Sequence, residues 1–329
     1  MKLYYIHLIF FVSIYSFNCQ SQNNSKMKDQ TNPLLCNPES GICEIPNNIQ
    51  PTDIKAIKQM NKPIQLVYFT DPICSSCWGI EPQLRKLKLE YGDLVEVDYR
   101  MGGLLPDWSY NNGGISKPSD VAHHWDEVSA YYDMPIDGDI WLEDPLSSSY
   151  PPSIAFKAAQ IQDKGKAILY LRQIREMVFI EKKNIAKREN LEEAAIVVGL
   201  DIKQFREDCL NKAKQLFEED LKLGRSLGVR GFPTLFFMDN QGNKEIVYGS
   251  KPYSTFVDAV QKLLPAVQNK DYNKNWEDLF SIYSTMTARE FSELSETPRN
   301  KVENILEELT TNGFIEKIST KNGNIWKLK

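Results

Sequence analysis

Long hydrophobic runs are missing from this chain of 329 residues. Its one leading apolar block, Ile6 to Phe17, is too short to span a bilayer as a stable anchor. A surplus of basic charge is missing too. The 39 Lys and Arg face 44 Asp and Glu, and the net charge of -5 argues against a generic nucleic-acid binder. Cysteine is sparse: six residues do not make a disulfide-built scaffold. Hydrophobic content of 42 % and charged content of 25 % are ordinary for a soluble globular body. The length exceeds one small core, so two domains are expected.

What is there gathers around Cys74-Ser75-Ser76-Cys77. The apolar run Ile64 to Phe69 before it reads as a buried strand. After it, Ile80, Leu84, Leu87 and Tyr91 recur at helical spacing. The first cysteine then sits at a helix N-terminus, where free N–H groups and the dipole favour a thiolate. A stabilised thiolate is ionised nearer neutral pH and leaves more readily. The second cysteine, one turn in, can close a disulfide. Half of a zinc site, or an inert pair, is the alternative for a lone C-x-x-C. Two features bear on that choice. Pro82 falls inside the expected helix, where a proline costs about 3 kcal/mol and kinks the axis. Gly231-Phe232-Pro233-Thr234 stands just before a second apolar run, Leu235-Phe236-Phe237.

Strand, C-x-x-C, kinked helix and a proline opening a later strand together resemble the thioredoxin fold. Asp71-Pro72-Ile73-Cys74 through Trp78-Gly79, with Met101-Gly102-Gly103-Leu104, resembles more specifically the DsbA family. Within it the stretch resembles the FrnE-like branch above all and is similar to the SpxH/YjbH adapter group too, over roughly residues 63 to 267. The resemblance implies an α/β thioredoxin fold with a large helical insertion, about 119–228, inside a domain over 52–268. It implies no cofactor and no metal. It implies disulfide exchange with protein thiols and disulfides, and a redox partner protein. Cys74 would attack or be attacked, Cys77 would resolve, and Pro233 would be cis beside them. An extended substrate would pair with the backbone before that proline, touching Phe232, Trp78 and Thr234. Many thioredoxin-fold members carry a buried acid six residues before the first cysteine; here the position is Tyr68. Proton transfer must then use water or another residue.

His123 and His124 are candidate thiolate-tuning groups, since a nearby His+ stabilises a thiolate; the alternative is a partly exposed helix position. Trp108, with Trp78, is expected either as an apolar wall around the disulfide or simply as core. Gly102-Gly103 and Asn111-Asn112-Gly113-Gly114 read as a flexible connection. Cys209, in an amphipathic helix, reads as a small apolar residue.

The N-terminus reads as address and tether. Residues 1–19 resemble a signal peptide ending at Cys19, a lipidation candidate in a bacterial lipoprotein signal. A plain secretory signal, or a cytosolic product starting at Met27, are the alternatives. Export to the periplasmic face, with a lipid holding the chain to the membrane, suits a disulfide-exchanging protein. Residues 20–51 form a polar tether that carries Cys36 and Cys43. The Asn37-Pro38 and Ser40-Gly41 turn dipeptides let that pair face each other as a second disulfide. The pair would be a local clip or would exchange electrons with Cys74 and Cys77. A shared zinc site fits poorly, because C-x6-C is not a usual zinc spacing.

After a polar linker at Asp271–Asn275, residues 271–329 read as three helices and a β-hairpin. That looks like a winged helix-turn-helix. Glu303, Glu307 and Glu308 follow Arg299, Asn300 and Lys301 on its third helix, so a protein contact is expected there before a DNA one. The expected function is a thiol-disulfide oxidoreductase of DsbA type. Its rivals are a non-catalytic adapter and a redox-sensing DNA-binding protein.

Overall fold

The computed structural model describes residues 36–37, 40–44, 62–109 and 117–329. Cys19, Met27 and Asn111-Asn112-Gly113-Gly114 of the expected flexible connection lie outside them.

The described chain opens on two short strands, β1 (Cys36–Asn37) and β2 (Ile42–Glu44). Strand β3 (Ile64–Thr70) follows, buried at every position but Gln65 and so rich in Val, Ile, Phe and Tyr. Next come α1 (Ser75–Gly79), α2 (Glu81–Tyr91) and β4 (Val95–Met101). Helices α1 and α2 correct the single kinked helix expected here. The axis breaks at Ile80, and Pro82 lies in the first turn of α2. At that position the missing N–H has no partner to lose.

The insertion is all helical among its described residues: α3 (Pro118–Tyr132), α4 (Ile140–Glu143), α5 (Tyr150–Gln162), α6 (Lys164–Phe179), α7 (Arg188–Val197), α8 (Ile202–Leu210) and α9 (Lys212–Ser226). The chain then returns through β5 (Gly231–Phe232), β6 (Thr234–Asp239), β7 (Lys244–Tyr248) and α10 (Tyr253–Leu263).

The central sheet has the order β4-β3-β6-β7. Strands β3 and β4 are parallel across the α1–α2 crossover; β6 and β7 are antiparallel additions. This is the thioredoxin arrangement, and it carries Cys74 off the end of β3 toward the start of β6. Gly102-Gly103 is no flexible connection. A Cβ on Gly102 would lie 1.7 Å from Phe232 Cζ, so the glycine is there to admit that ring.

The C-terminal stretch builds α11 (Trp276–Ile282), β8 (Thr285–Thr287), α12 (Ala288–Ser295), α13 (Arg299–Thr311), β9 (Ile315–Thr320) and β10 (Gly323–Leu328). Its own core gathers Phe280, Phe291, Leu294, Leu306 and Trp326. Strand β8 was not expected from the sequence. It turns the hairpin into a three-stranded sheet, β8-β10-β9. The box Thr287 to Glu290 caps α12. This part does not hang from a linker. Arg85 donates to Thr285 O at 2.7 Å, and Arg299 holds Asp133 through two bonds at 2.6 and 2.9 Å. Among the described residues no helix is long and apolar enough to cross a membrane.

Candidate active site

Just beyond β3, Asp71 fixes the approach to the cysteines. Its carboxylate accepts from Ile73 N at 3.0 Å, Leu104 N at 2.7 Å and Ser149 Oγ at 2.9 Å. Full burial outweighs these bonds and pushes its pKa up to about 6. Cys74 caps α1, its Sγ accepting from Cys77 N at 3.3 Å. The Phe232–Pro233 bond is cis, and Phe232 O lies 3.8 Å from Cys74 Sγ. Thr234 is buried, and its hydroxyl donates to Gly231 O at 2.6 Å, holding the bend before β6.

The charge beneath the thiols comes from Arg175 of α6, fully buried. It donates to Thr70 Oγ1 at 2.6 Å and forms an ion pair with Glu81. Thr70 Oγ1 donates in turn to Tyr68 OH at 3.1 Å. The two cysteines respond in opposite directions. Burial, then the hydrogen bond to Cys77, pushes the Cys74 thiol up. Burial also opposes a Cys77 thiolate, but the Cys74 thiol, Arg175, Thr70 and Tyr68 more than offset it and hold Cys77 down. The expectation of a low Cys74 is thereby corrected. Helix α1 is only five residues long, so its dipole is weak, and Cys74 has no exposed surface.

What covers Cys74 is the chain's own N-terminal hairpin. Strand β2 pairs antiparallel with β5, Cys43 opposite Phe232 and Glu44 opposite Gly231. The edge expected to receive a substrate backbone is therefore filled. Cys43 Sγ stands 3.2 Å from Cys74 Sγ, with Ser76 Oγ 3.4 Å from the same sulfur. Ser76 Oγ also meets Tyr132 OH at 2.7 Å. Cys43 is disulfide-bonded, whereas Cys74, Cys77 and Cys209 are free.

The other residues singled out from sequence divide. Trp78 is fully buried, donates to Pro135 O at 3.0 Å and stacks on Phe179. It is core and presents nothing to a substrate, which corrects its expected role. Trp108 stacks edge-on against Trp141, in the same aromatic layer as Trp125 and Phe179. His123 and His124 both face Glu127 on α3. They lie two turns before Tyr132, the residue of that helix which reaches Ser76. The cation that acts on Cys77 is Arg175. Cys209 is half-buried on α8, and burial pushes its thiol up to about 12. Sequence reading missed Arg175 and Glu81, and gave Asp71 only as part of a motif, without a role. A lone Arg in an amphipathic helix carries no local sign of burial.

The family model described as Thioredoxin matches residues 68–258. The chain is 33 % identical over 307 residues to the ClpXP adapter protein SpxH of Halalkalibacterium halodurans, covering 92 % of this chain and 99 % of that one. It is 30 % identical over 295 residues to the protein of the same name from Shouchella clausii, covering 89 % and 96 %. Among solved structures it is similar to a putative protein disulfide isomerase from Nitrosomonas europaea. The TM-score there is 0.54 at 20 % identity, over 62 % of this chain and 98 % of that one, a likeness of fold.

Proposed function

The chain belongs to the SpxH family of thioredoxin-fold proteins, and from that premise we propose that it exchanges disulfides with polypeptides through Cys74 and Cys77. The observation that carries the reading is Cys74 at the start of α1, 3.8 Å from Phe232 O, with Cys77 held toward its thiolate by its hydrogen bond with Cys74 and then by Arg175. In the reduced protein Cys74 passes its proton to Cys77 and attacks one sulfur of a substrate disulfide. A mixed disulfide forms and one substrate thiolate leaves. Cys77 gives its proton to that departing thiolate, attacks Cys74 Sγ and expels the second substrate thiolate. The substrate gains two electrons and the Cys74–Cys77 pair loses two; run backwards, the same steps oxidise a substrate.

The test uses the full reduced chain and a synthetic peptide whose one cysteine carries thionitrobenzoate. Cys77→Ser should trap the peptide on Cys74, and Cys74→Ser should trap little. The reverse pattern would exchange the two roles. No adduct on either would end the proposal.

A second reading is favoured by the relatives' name, ClpXP adapter protein SpxH. As an adapter the chain would bind a polypeptide and present it to another protein without chemistry. A Cys74→Ser/Cys77→Ser double variant would then bind its partner as tightly as the parent. The C-terminal helices and three-stranded sheet, which look like a winged helix, would serve a protein contact. Arg299, first on α13, is committed to Asp133 and Glu303. A salt-sensitive gel shift by the full chain would restore the DNA-binding reading. For location the proposal is export with Cys19 as a lipid anchor, the rival being a cytosolic product from Met27. Mass analysis of the mature N-terminus separates the two.

A further inference from the structure

We infer that the β1–β2 hairpin is a built-in disulfide substrate of Cys74, seated on the peptide-pairing edge of its own chain, and that an outside polypeptide gains Cys74 only when the hairpin leaves. The inference rests on the thiol–disulfide reading of Cys74 and Cys77 given above.

The seat is the substrate's seat. Residue 43 stands opposite Phe232 in the β2–β5 ladder, and Phe232 O is itself 3.8 Å from Cys74 Sγ. A backbone laid on this edge delivers its residue at that position to Cys74, and here the residue is a cysteine. Its sulfur is 3.2 Å from Cys74 Sγ, within van der Waals reach of an attacking thiolate. Cys43 is half of a disulfide. Cys36 stands directly opposite it in the β1–β2 ladder, and the proposal assigns Cys36 as the other half.

The hairpin is fitted and not merely close. Ser250 N donates to Gly41 O at 2.8 Å. Gly41 has φ +67, and a Cβ there would meet Ser250 N at 2.6 Å. A Cβ on Gly249 would meet Ser40 O at 2.4 Å. Two glycines therefore clear the landing surface, while Ile42 and Cys43 are buried against it.

The exchange balances within one chain. Cys74, its proton passed to Cys77, attacks Cys43 Sγ. The Cys43–Cys74 bond forms, the Cys36–Cys43 bond breaks, and Cys36 leaves as the thiolate that takes the proton back from Cys77. Cys77 then attacks Cys74 Sγ, closing Cys74–Cys77 and releasing Cys43. Two electrons pass from the Cys74/Cys77 dithiol to the hairpin disulfide, with no outside oxidant. The hairpin thereby stores one oxidation equivalent beside the site and shields Cys74 until it is used.

The test takes full-length Cys77→Ser with Cys36 and Cys43 intact. The protein is incubated with glutathione disulfide, alkylated and mapped without reduction by mass spectrometry. The expected major species joins Cys43 to Cys74 and leaves Cys36 alkylated or carrying glutathione. Cys77→Ser/Cys43→Ser should instead carry glutathione on Cys74. If Cys77→Ser keeps a Cys36–Cys43 bond and carries glutathione on Cys74, the relay is wrong while the exchange reading stands. If Cys74 joins neither Cys43 nor glutathione in either variant, both fall. The shielding is read separately in Gly41→Val, whose side chain collides with Ser250. Cys74 should be alkylated about tenfold faster there or more, since local opening then limits access less; an unchanged rate would overturn the shielding.

Discussion

Glu290 of the C-terminal part accepts two hydrogen bonds from Arg172 of the helical insertion, at 2.7 and 3.0 Å. Arg85 of α2 stands 3.3 Å from the same carboxylate, and Glu290 has no exposed surface. Arg85 also approaches Glu81, and Glu81 pairs with Arg175 under Cys77. One buried series of ion pairs thus runs from the thiols to the C-terminal helices.

Glu290→Gln should leave Arg85 and Arg172 without their shared countercharge. Breaking a buried pair from one side costs about 3–5 kcal/mol. Urea unfolding of the full chain should show that loss. It should appear in the signals of both halves, because the network spans them. A loss below about 1 kcal/mol would mean water already reaches the pair.

Arg175→Met should weaken the Cys77 thiolate and strand Glu81. The pH at which Cys77 is half alkylated should rise, while Arg175→Lys, keeping the charge, should move it less. The alkylation profile against pH reads this directly. An unchanged profile in Arg175→Met would assign the low Cys77 to its hydrogen bonds alone.

How far the sequence could carry the reading shows in these same residues. Strand β3, the C-x-x-C, Pro233 and the C-terminal hairpin were legible, because each rests on local pattern or turn chemistry. The break at Ile80 was not, since a periodic apolar face runs through α1 and α2 alike. Arg175 and Cys77 are distant in sequence, and no local signal marks their meeting. The turn dipeptides between Cys36 and Cys43 suggested that the two would face each other. That their strand would land on Phe232 depended on a β-ladder between distant segments, which sequence spacing does not encode.

Asp71 gives a pH signature. Its folded pKa of about 6 lies above its ordinary 3.8, so the stability it contributes is full below about 3.8 and is lost as pH rises through about 6. The loss is about 3 kcal/mol across that window. Asp71→Asn cannot titrate and should lack it. Urea midpoints at pH 4 and pH 7 should therefore show the parent's lead over Asp71→Asn shrinking at the higher pH. Asp71 also disfavours a Cys74 thiolate, so the variant should alkylate at Cys74 at lower pH.

Gly102→Ala should disturb the site without touching a cysteine. Its new methyl would meet the Phe232 ring at 1.7 Å, so the ring or the β5 backbone must move. Overpacking of this kind costs about 1–3 kcal/mol. Thermal unfolding should show it, and peptide trapping on Cys74 should fall with it. A variant as stable and as reactive as the parent would show that the Phe232 position is not fixed by this contact.

The central claim is that Cys74 and Cys77 form one reversible redox pair. Its most direct measurement is a titration of the full chain in glutathione buffers, acid-quenched, alkylated and mapped by mass. The account predicts a single two-electron transition in which Cys74 and Cys77 lose their alkyl groups together and become joined to each other. Thiols that stay alkylatable at every ratio, or Cys74 carrying glutathione indefinitely with Cys77 free beside it, would contradict it.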